Sequence, residues 1–387
     1  MSHLRYLTAG ESHGRALVGI LEGMPAGLPI SKEKIDVQLK RRQGGYGRGG
    51  RMKIEQDQVE VLSGIRSGIT LGSPIALVIW NRDWENWSKH MDPWNPPPER
   101  YAPVTVPRPG HADLAGALKY RHVDIRNVLE RASARETAMR VALGSIARQL
   151  LEHFGIQIAS HVVQIHSVRA SVDVTGLDVA ELSARADVSP VRCLDPVAEQ
   201  EMIARIDHAK AQGNTVGGVF EVIAANVPVG LGSYVHWDRK LDGRISHAMA
   251  SLPAMKAVEI GLGVESAGKW GSECHDAIYY DERSGYHRKT NRAGGLEGGV
   301  TNGERLVVRV AMKPLSTLVR PLESVDMKSK RAVKAHVERS DVCAVPAAAV
   351  IGEAVLALVL ADAFLEKYGG DSIAEIEERY RLLQSRA

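Results

Sequence analysis

Cysteine is scarce in this chain, and its placement excludes two common kinds of scaffold. The 387 residues contain three cysteines, Cys193, Cys274 and Cys343, which are widely spaced and odd in number. That count argues against a framework of paired disulfides, and the lack of a CxxC pair removes the usual signature of a structural zinc site. A reducing compartment is therefore expected.

An excess of charge of one sign is also lacking. The 49 Lys and Arg residues nearly balance the 46 Asp and Glu residues, so the charge of the whole molecule gives little reason to expect nucleic acid or a membrane surface as a partner. The longest apolar run, Ala354 to Leu365, contains Asp362 and is too short to span a bilayer. The N-terminus lacks the apolar core of a signal peptide. We expect a cytoplasmic protein with neither a membrane nor a nucleic-acid partner.

Two nucleotide-binding motifs, a repeat and a linker are missing as well. The sequence has neither GxGxxG after a strand nor GxxxxGK[ST], the two common phosphate-binding loops. It has no fixed-period repeat and no evident linker. Because the predicted strands and helices do not alternate in βαβ order, an α+β fold is favoured over a doubly wound sheet. One large domain over residues 1–387 is expected.

Local patterns predict several helices and strands. Glu130 to Phe154 has apolar residues at helical spacing and ends at Gly155, which is typical of a helix stop. Asp195-Pro196 predicts a cap and the first residue of a helix that runs to about Gln212. Further helices are predicted from Ser31 to Arg42, over Pro346–Lys367 and over Asp371–Ser385, and strands over Val59–Leu62, Ile75–Trp80, Thr215–Asn226 and Arg305–Met312.

One segment, Arg41–Arg51, combines five glycines with four arginines. Glycine lets the backbone approach a ligand closely, and arginine binds phosphate or carboxylate with two parallel hydrogen bonds. The segment is compatible with an anion-binding loop, a solvated basic loop or an RNA-binding tract. Its single aromatic residue, Tyr46, and the near-neutral charge of the chain argue against RNA.

Two histidines lie in segments that favour exposure to a ligand. His13 stands between small residues in Gly10–Gly14, and His111 follows Arg108 in the proline-rich Pro107–Asp113. Imidazole suits proton transfer near neutral pH, although a turn histidine bonded to backbone is the alternative. Four nearby tryptophans are compatible either with a flavin contact or with core and lid packing; they are Trp80, Trp84, Trp87 and Trp94.

Four further segments carry groups that suit anions. Glu130–Thr137 places a serine and two arginines at the predicted start of the long helix, where free N–H groups attract anions, although intrahelical ion pairs are the alternative. Lys313–Thr317 offers an ammonium and two hydroxyls, and Asp341 is a possible base beside Arg339. Gly294–Gly299 is the fourth, and each of the last three could also be a turn.

Taken together and in this order, these segments resemble the chorismate synthase family. GESHGRALVGILEGMPAG, ERASARETAMRVALGSI and RSDVCAVPAAAVIGEAVL resemble its three signatures, and RRQGGYGRGGRM, PRPGHADLAG, AGGLEGG and KPLST stand where the family has them. The resemblance runs from Tyr6 to Leu365. It implies a β-α-β sandwich and a homotetramer.

The resemblance also implies an activity. The family eliminates phosphate from 5-enolpyruvylshikimate 3-phosphate to give chorismate, the last step of the shikimate pathway to aromatic amino acids. The reaction is redox-neutral and needs reduced FMN. Nothing in the length suggests an added reductase domain, so a separate reductant is expected, with NADPH acting directly or through a separate flavin reductase. The alternative from another class is an RNA- or polyanion-binding protein that uses Arg41–Arg51.

Site residues carry over position by position. The resemblance implies that His13 protonates the leaving phosphate, that His111 protonates or stabilises the reduced flavin, and that Asp341 takes a proton near flavin N5. It assigns anions of the substrate or of NADPH to Arg42, Arg48, Arg51, Arg108 and Arg135. It assigns the flavin to Arg131, Ala132, Ser133, Pro253, Ala254, Gly298, Lys313, Pro314, Leu315, Ser316, Thr317 and Arg339.

One position departs from the family pattern. Pro253 stands where the family commonly has Asn or Gln, and proline has neither the side-chain amide nor a backbone N–H. A flavin hydrogen bond from that side chain is therefore lost, and Ala254 is left to contribute its backbone.

Overall fold

The described residues form two larger antiparallel sheets, of four and five strands, together with several helices. The computed structural model describes residues 3–49, 56–98, 101–282, 285–338 and 341–384. Its strands are β1 Arg5–Ala9, β2 Ala16–Glu22, β3 Glu60–Ser63, β4 Ile65–Arg66, β5 Ile69–Thr70, β6 Ile75–Trp80, β7 Gln157–Ile165, β8 Val168–Arg169, β9 Gly218–Ala225, β10 Met255–Ile260, β11 Ile278–Asp281, β12 Gly285–Arg288, β13 Leu296–Glu297, β14 Val300–Thr301, β15 Leu306–Met312, β16 Glu323–Val325 and β17 Ala332–Lys334.

The helices differ widely in length. They are α1 Lys32–Gln43, α2 Trp84–Trp87, α3 Asp113–Tyr120, α4 Arg126–Leu129, α5 Thr137–His153, α6 Val179–Val188, α7 Pro196–Ala211, α8 Leu241–Ala250, α9 Gly271–Cys274, α10 Val345–Tyr368 and α11 Ile373–Gln384, with short 3₁₀ turns at Ala134–Glu136, Trp237–Arg239 and Gly263–Gly268.

The two longest helices contact different sheets and pack on each other. One sheet has the order β1-β2-β6-β3 and the other β10-β15-β9-β7-β8. Helix α5 contacts β2 and β6, whereas α10 contacts β7 and β9, and the two helices pack on each other. A Cβ on Gly144 of α5 would lie 2.4 Å from the Ala354 carbonyl oxygen of α10, so glycine is required for this close crossing. These elements confirm the α+β class.

The apolar composition of α10 matches its buried position. It is the one helix in the described ranges whose length and hydropathy would suit a membrane span, and 94% of that apolar window is buried inside the protein. Leu356 and Phe364 are fully buried in the core shared with α5 and the sheets. Packing against protein therefore accounts for the hydropathy of this helix.

A buried ion cluster ties three of the helices together. The Glu353 carboxylate on α10 accepts hydrogen bonds from Arg41 at 2.7 and 3.0 Å, from Arg148 at 2.7 Å and from Arg192 at 3.4 Å. Burial raises the pKa of Glu353, but the arginines more than offset this and hold the pKa far below its usual value. The cluster fixes the end of α1 against α5 and α10.

The element predictions are mostly confirmed, with one clear correction. Ile75–Trp80 is a strand, and Asp195 caps α7 through hydrogen bonds from the backbone N–H groups of Val197 and Ala198. The predicted helix over Glu130–Phe154, however, begins at Thr137. Ser133 is extended and its hydroxyl caps a 3₁₀ turn over Ala134–Glu136, which bends the chain before the helix starts.

Candidate active site

A single cavity gathers most of the residues that the sequence singled out. Its volume is about 640 Å³, within the range of small-molecule sites. Every predicted site residue lines it except four: Arg51 and Arg339, which are outside the described residues, and Arg131 and Gly298. The residues brought together are His13, Arg42, Arg48, Arg108, His111, Ala132, Ser133, Arg135, Pro253, Ala254, Lys313, Pro314, Leu315, Ser316, Thr317 and Asp341.

Three arginines form one wall of the cavity. Arg135 donates from Nη1 to both carboxylate oxygens of Asp57 at 2.7 Å and from Nε and Nη2 to the Asn81 side-chain oxygen. Arg42, at the end of α1, donates from Nη2 to the Ala134 carbonyl at 2.8 Å. Arg48 lies 3.3 Å from Asp341 through its Nε. These contacts fix the three guanidinium groups before any ligand arrives.

One guanidinium nitrogen of Arg42 lacks a hydrogen-bond acceptor in the part of the chain that the structure describes. Its Nη1 is buried and has no hydrogen-bond partner among the described residues, and Asp57 is 3.7 Å away. Burial, together with the neighbouring charges of Arg135 and Arg48, lowers the pKa of Arg42 to about 9. An anion in the cavity would relieve the repulsion between the guanidinium groups.

His13 is held by a buried carboxylate and a tryptophan. Its Nδ1 lies 2.9 and 3.0 Å from the two carboxylate oxygens of Glu130, and its ring stacks on Trp87 with centroids 4.0 Å apart. Burial raises the pKa of Glu130, but hydrogen bonds and charge attraction from His13, with Arg126, outweigh it and lower that pKa. Glu130 is therefore ionised at neutral pH.

His111 has a carboxylate partner of the same kind. Its Nδ1 lies 2.5 Å from Asp113, which also accepts two hydrogen bonds from the Arg108 guanidinium and one from the Arg108 backbone N–H. Burial raises the pKa of Asp113, but His111 and Arg108 outweigh it and hold the pKa well below its usual value. The Nη1 of Arg108 donates to the Thr317 hydroxyl at 2.9 Å. The Arg108 guanidinium is thus largely engaged by Asp113 and Thr317.

The glycine-rich segment packs against the start of α10. A Cβ on Gly47, whose φ is +86°, would lie 2.9 Å from Ile206 and 3.1 Å from Cys343. The Gly47 carbonyl accepts a hydrogen bond from the Val342 N–H, and the Gly49 N–H donates to Asp341 at 2.6 Å. Close packing explains the glycine at 47, and this packing brings Arg48 and Asp341 together at the cavity.

Another part of the cavity lining carries an ammonium and two hydroxyls. Lys313 contacts the Gly110 carbonyl through Nζ, and its backbone N–H donates to the Ala254 carbonyl at 3.0 Å, which joins the end of β15 to the start of β10. Ser316 and Thr317 follow on the same wall, and Ser133 lies 3.2 Å from Ser12 through their hydroxyls. This wall can hold a phosphate without an arginine.

Comparison with known proteins gives one consistent result. The family model described as chorismate synthase matches residues 4–365. A chorismate synthase from Moorella thermoacetica is 58% identical over 97% of each chain, and one from Symbiobacterium thermophilum is 59% identical over 98% of each. A crystal structure of a chorismate synthase superposes with a TM-score of 0.79 at 45% identity, covering 98% of this chain and 96% of that one. The chain belongs to the chorismate synthase family.

Two residues predicted from the family pattern lie away from this cavity. Arg131 is exposed and donates to the Thr8 and Gly10 carbonyl oxygens, and Gly298 lies in the turn between β13 and β14. Neither lines the cavity formed by the described part of this chorismate synthase family member. Their predicted flavin contacts stay predictions.

Sequence reasoning did not assign a role to the carboxylates behind the two histidines. Glu130 and Asp113 are 2% and 1% exposed, and both stood within segments that had been singled out for their basic residues. Of the four tryptophans, Trp87 lines the cavity and Trp94 is 90% exposed. A carboxylate 117 residues from its histidine leaves no local signal in the sequence.

The RNA-binding alternative has no support in this arrangement. Arg41 is bonded to the buried Glu353, Arg42 is 3% exposed, and the Arg48 side chain is 12% exposed. RNA binding by such a tract needs guanidinium groups presented to the solvent. The described arginines of this segment point into the protein instead.

Proposed function

We propose that this chain catalyses the reduced-FMN-dependent 1,4-elimination of phosphate from 5-enolpyruvylshikimate 3-phosphate, which makes it a carbon–oxygen lyase acting on phosphates. The observation that supports this best is that Arg42, Arg48, Arg135, His13 and His111 share one cavity. The substrate carries a phosphate and two carboxylates, which suit three preformed guanidinium groups. The buried Nη1 of Arg42 has no hydrogen-bond partner among the described residues.

The proposed flavin site is the wall formed by Ala132, Ser133, Pro253, Ala254 and Lys313–Thr317. Its ammonium and hydroxyls suit the FMN phosphate, and the cavity volume suits a flavin beside a small substrate. Reduced FMN held there would supply the electron density that the elimination needs. Pro253 lines the cavity but has no N–H to donate, so Ala254 contributes through its backbone.

The histidines are proposed to handle protons at the two ends of the reaction. His13 protonates the leaving phosphate from Nε2, because Glu130 occupies its Nδ1. His111 is oriented by Asp113 in the same way and is proposed to protonate or stabilise the reduced flavin. Asp341 is proposed as the base near the flavin, and its contacts with Gly49 and Arg48 orient it. The arginines stabilise negative charge as it moves to the departing phosphate.

The remaining family properties are proposed together. The contacts of α5 and α10 with different sheets support the β-α-β sandwich, formed as a single catalytic domain over residues 1–387. We expect a cytoplasmic homotetramer. Reduced FMN comes from NADPH, either directly or through a separate flavin reductase.

The proposed activity can be measured directly. Purified protein mixed anaerobically with reduced FMN and 5-enolpyruvylshikimate 3-phosphate should form chorismate, which is measured by its absorbance. One inorganic phosphate should be released for each chorismate formed. The same mixture with oxidised FMN is the control and should form none. If no chorismate forms with reduced FMN, the proposed function is wrong.

Arg42 should contribute strongly to anion binding. In Arg42→Met we expect the affinity for inorganic phosphate, measured by titration calorimetry, to fall about 10–100-fold, because a hydrogen bond to a charged group is worth about 1.5–3 kcal/mol. The exposed Arg5, which pairs with Glu22 on β1 and β2, provides the matched control, and Arg5→Met should bind phosphate like wild type. Unchanged phosphate affinity in a folded Arg42→Met would remove Arg42 from the anion site.

A further inference from the structure

The ring of His13 is constrained on one edge and on one face. Glu130 contacts Nδ1 through both carboxylate oxygens and also accepts the His13 backbone N–H at 2.8 Å. Trp87 stacks on the ring with an interplanar angle of 23°. Because Glu130 contacts Nδ1, Nε2 is the ring nitrogen that can contact a ligand.

Arg126 connects the two supports. It donates from Nη1 to Glu130 at 2.9 Å, and its guanidinium carbon lies 5.0 Å from the Trp87 ring centroid. Trp87 is fixed further by a hydrogen bond from its Nε1 to Asp83 at 3.2 Å. His13, Trp87 and Arg126 all line the cavity, whereas Glu130 lies behind them. The four side chains form one packed unit.

We propose that Glu130 and Trp87 are positioning residues that fix the tautomer and the orientation of His13 so that it can protonate the leaving phosphate. This inference rests on the proposed function. An ionised carboxylate accepts hydrogen bonds only, so the Glu130 contact requires the proton on Nδ1. The protonated ring then delivers the Nε2 proton to the departing phosphate oxygen and returns to the neutral Nδ1–H form, which Glu130 still holds.

Trp87 complements this by preventing rotation of the ring. A histidine with its Nδ1 bonded can still tilt about that bond, and a stacked indole removes this freedom. A ring that tilts away from the productive geometry lowers turnover without weakening ligand binding in the same proportion. The two supports therefore predict effects on kcat more than on KM.

Glu130→Gln tests the tautomer. The glutamine amide can donate to Nδ1, which favours the wrong tautomer, so we expect kcat to fall about 10²–10³-fold while KM for the substrate changes less than about threefold. Trp87→Ala should lower kcat about tenfold, and Trp87→Phe, which keeps a stacking face, should recover most of that loss. Trp84 is on the same helix but does not line the cavity, and Trp84→Ala is the matched control, expected to keep wild-type kcat.

A double-mutant cycle separates positioning from a general structural role. If Glu130 and Trp87 act through His13, adding Glu130→Gln or Trp87→Ala to His13→Ala should not lower kcat further. An equal loss in the presence and absence of His13, or wild-type kcat in Glu130→Gln, would overturn the inference. Should Glu130→Gln fail to fold, the cycle of Trp87→Ala with His13→Ala decides alone. Absence of chorismate formation by wild-type protein would instead refute the proposed function.

Discussion

His13→Ala should lower the turnover of chorismate formation about 10²–10³-fold, because loss of a general acid usually costs that much. The fold should persist, since the imidazole is partly open to the cavity and the core is formed by other residues. Steady-state kinetics under anaerobic conditions measure the effect. The turnover of His111→Ala is expected to fall by a similar factor, because it also loses a group that handles a proton.

A matched histidine and a stability measurement make this result interpretable. His153 pairs with Glu377 at 2.8 Å, away from the cavity, so His153→Ala should keep wild-type turnover. Thermal unfolding of each variant shows whether the protein is intact. Wild-type turnover in His13→Ala or in His111→Ala would remove that histidine from the mechanism.

Glu353→Gln should destabilise the protein by about 3–5 kcal/mol, because it leaves three arginines without their shared buried carboxylate. Glu353 is 1% exposed and lies between Arg41, Arg148 and Arg192. Urea unfolding measures the free-energy difference. Glu22→Gln is the matched control, since it breaks the exposed pair with Arg5 and should cost about 1 kcal/mol or less.

The pH dependence distinguishes the charge of Glu353 from its shape. The folded-state pKa of Glu353 is depressed, so its contribution is complete above the usual value of 4.5 and is lost as the pH falls toward the folded pKa. Glutamine does not titrate. The stability difference between wild type and Glu353→Gln should therefore be constant near neutrality and shrink below pH 4.5. A difference that stays constant below pH 4.5 would show that the charge is not the cause.

The sequence predicts elements best where apolar residues recur regularly. Helices α7 and α10 have regular apolar patterns with proline in the first turn, and both lie where they were predicted. Strand β7 was not predicted, because its apolar run is interrupted by Ser160 and His161. Ser160 donates to Glu353 at 2.6 Å, and His161 lies 3.3 Å from Glu221. Partners remote in sequence allow these polar residues inside the sheet.

The sequence predicted which residues belong to the site, but it did not predict how their side chains are arranged. The sequence does not distinguish Arg41, which stabilises the core through Glu353, from its neighbour Arg42, which lines the cavity. Successive helical residues point in directions about 100° apart, so only the packing of α1 separates their roles. For the same reason, Glu130 became evident as the partner of His13 only once distant segments were brought together, whereas Asp113 stands only two residues from His111.

In the proposed reaction, one cavity holds the anionic substrate against the flavin. A crystal structure of the protein with oxidised FMN and 5-enolpyruvylshikimate 3-phosphate tests it most directly. We predict the substrate phosphate within hydrogen-bond distance of Arg42 and His13, with the flavin against Ala254 and Lys313–Thr317. If the two ligands bind elsewhere and this cavity is empty, the proposed active site is wrong.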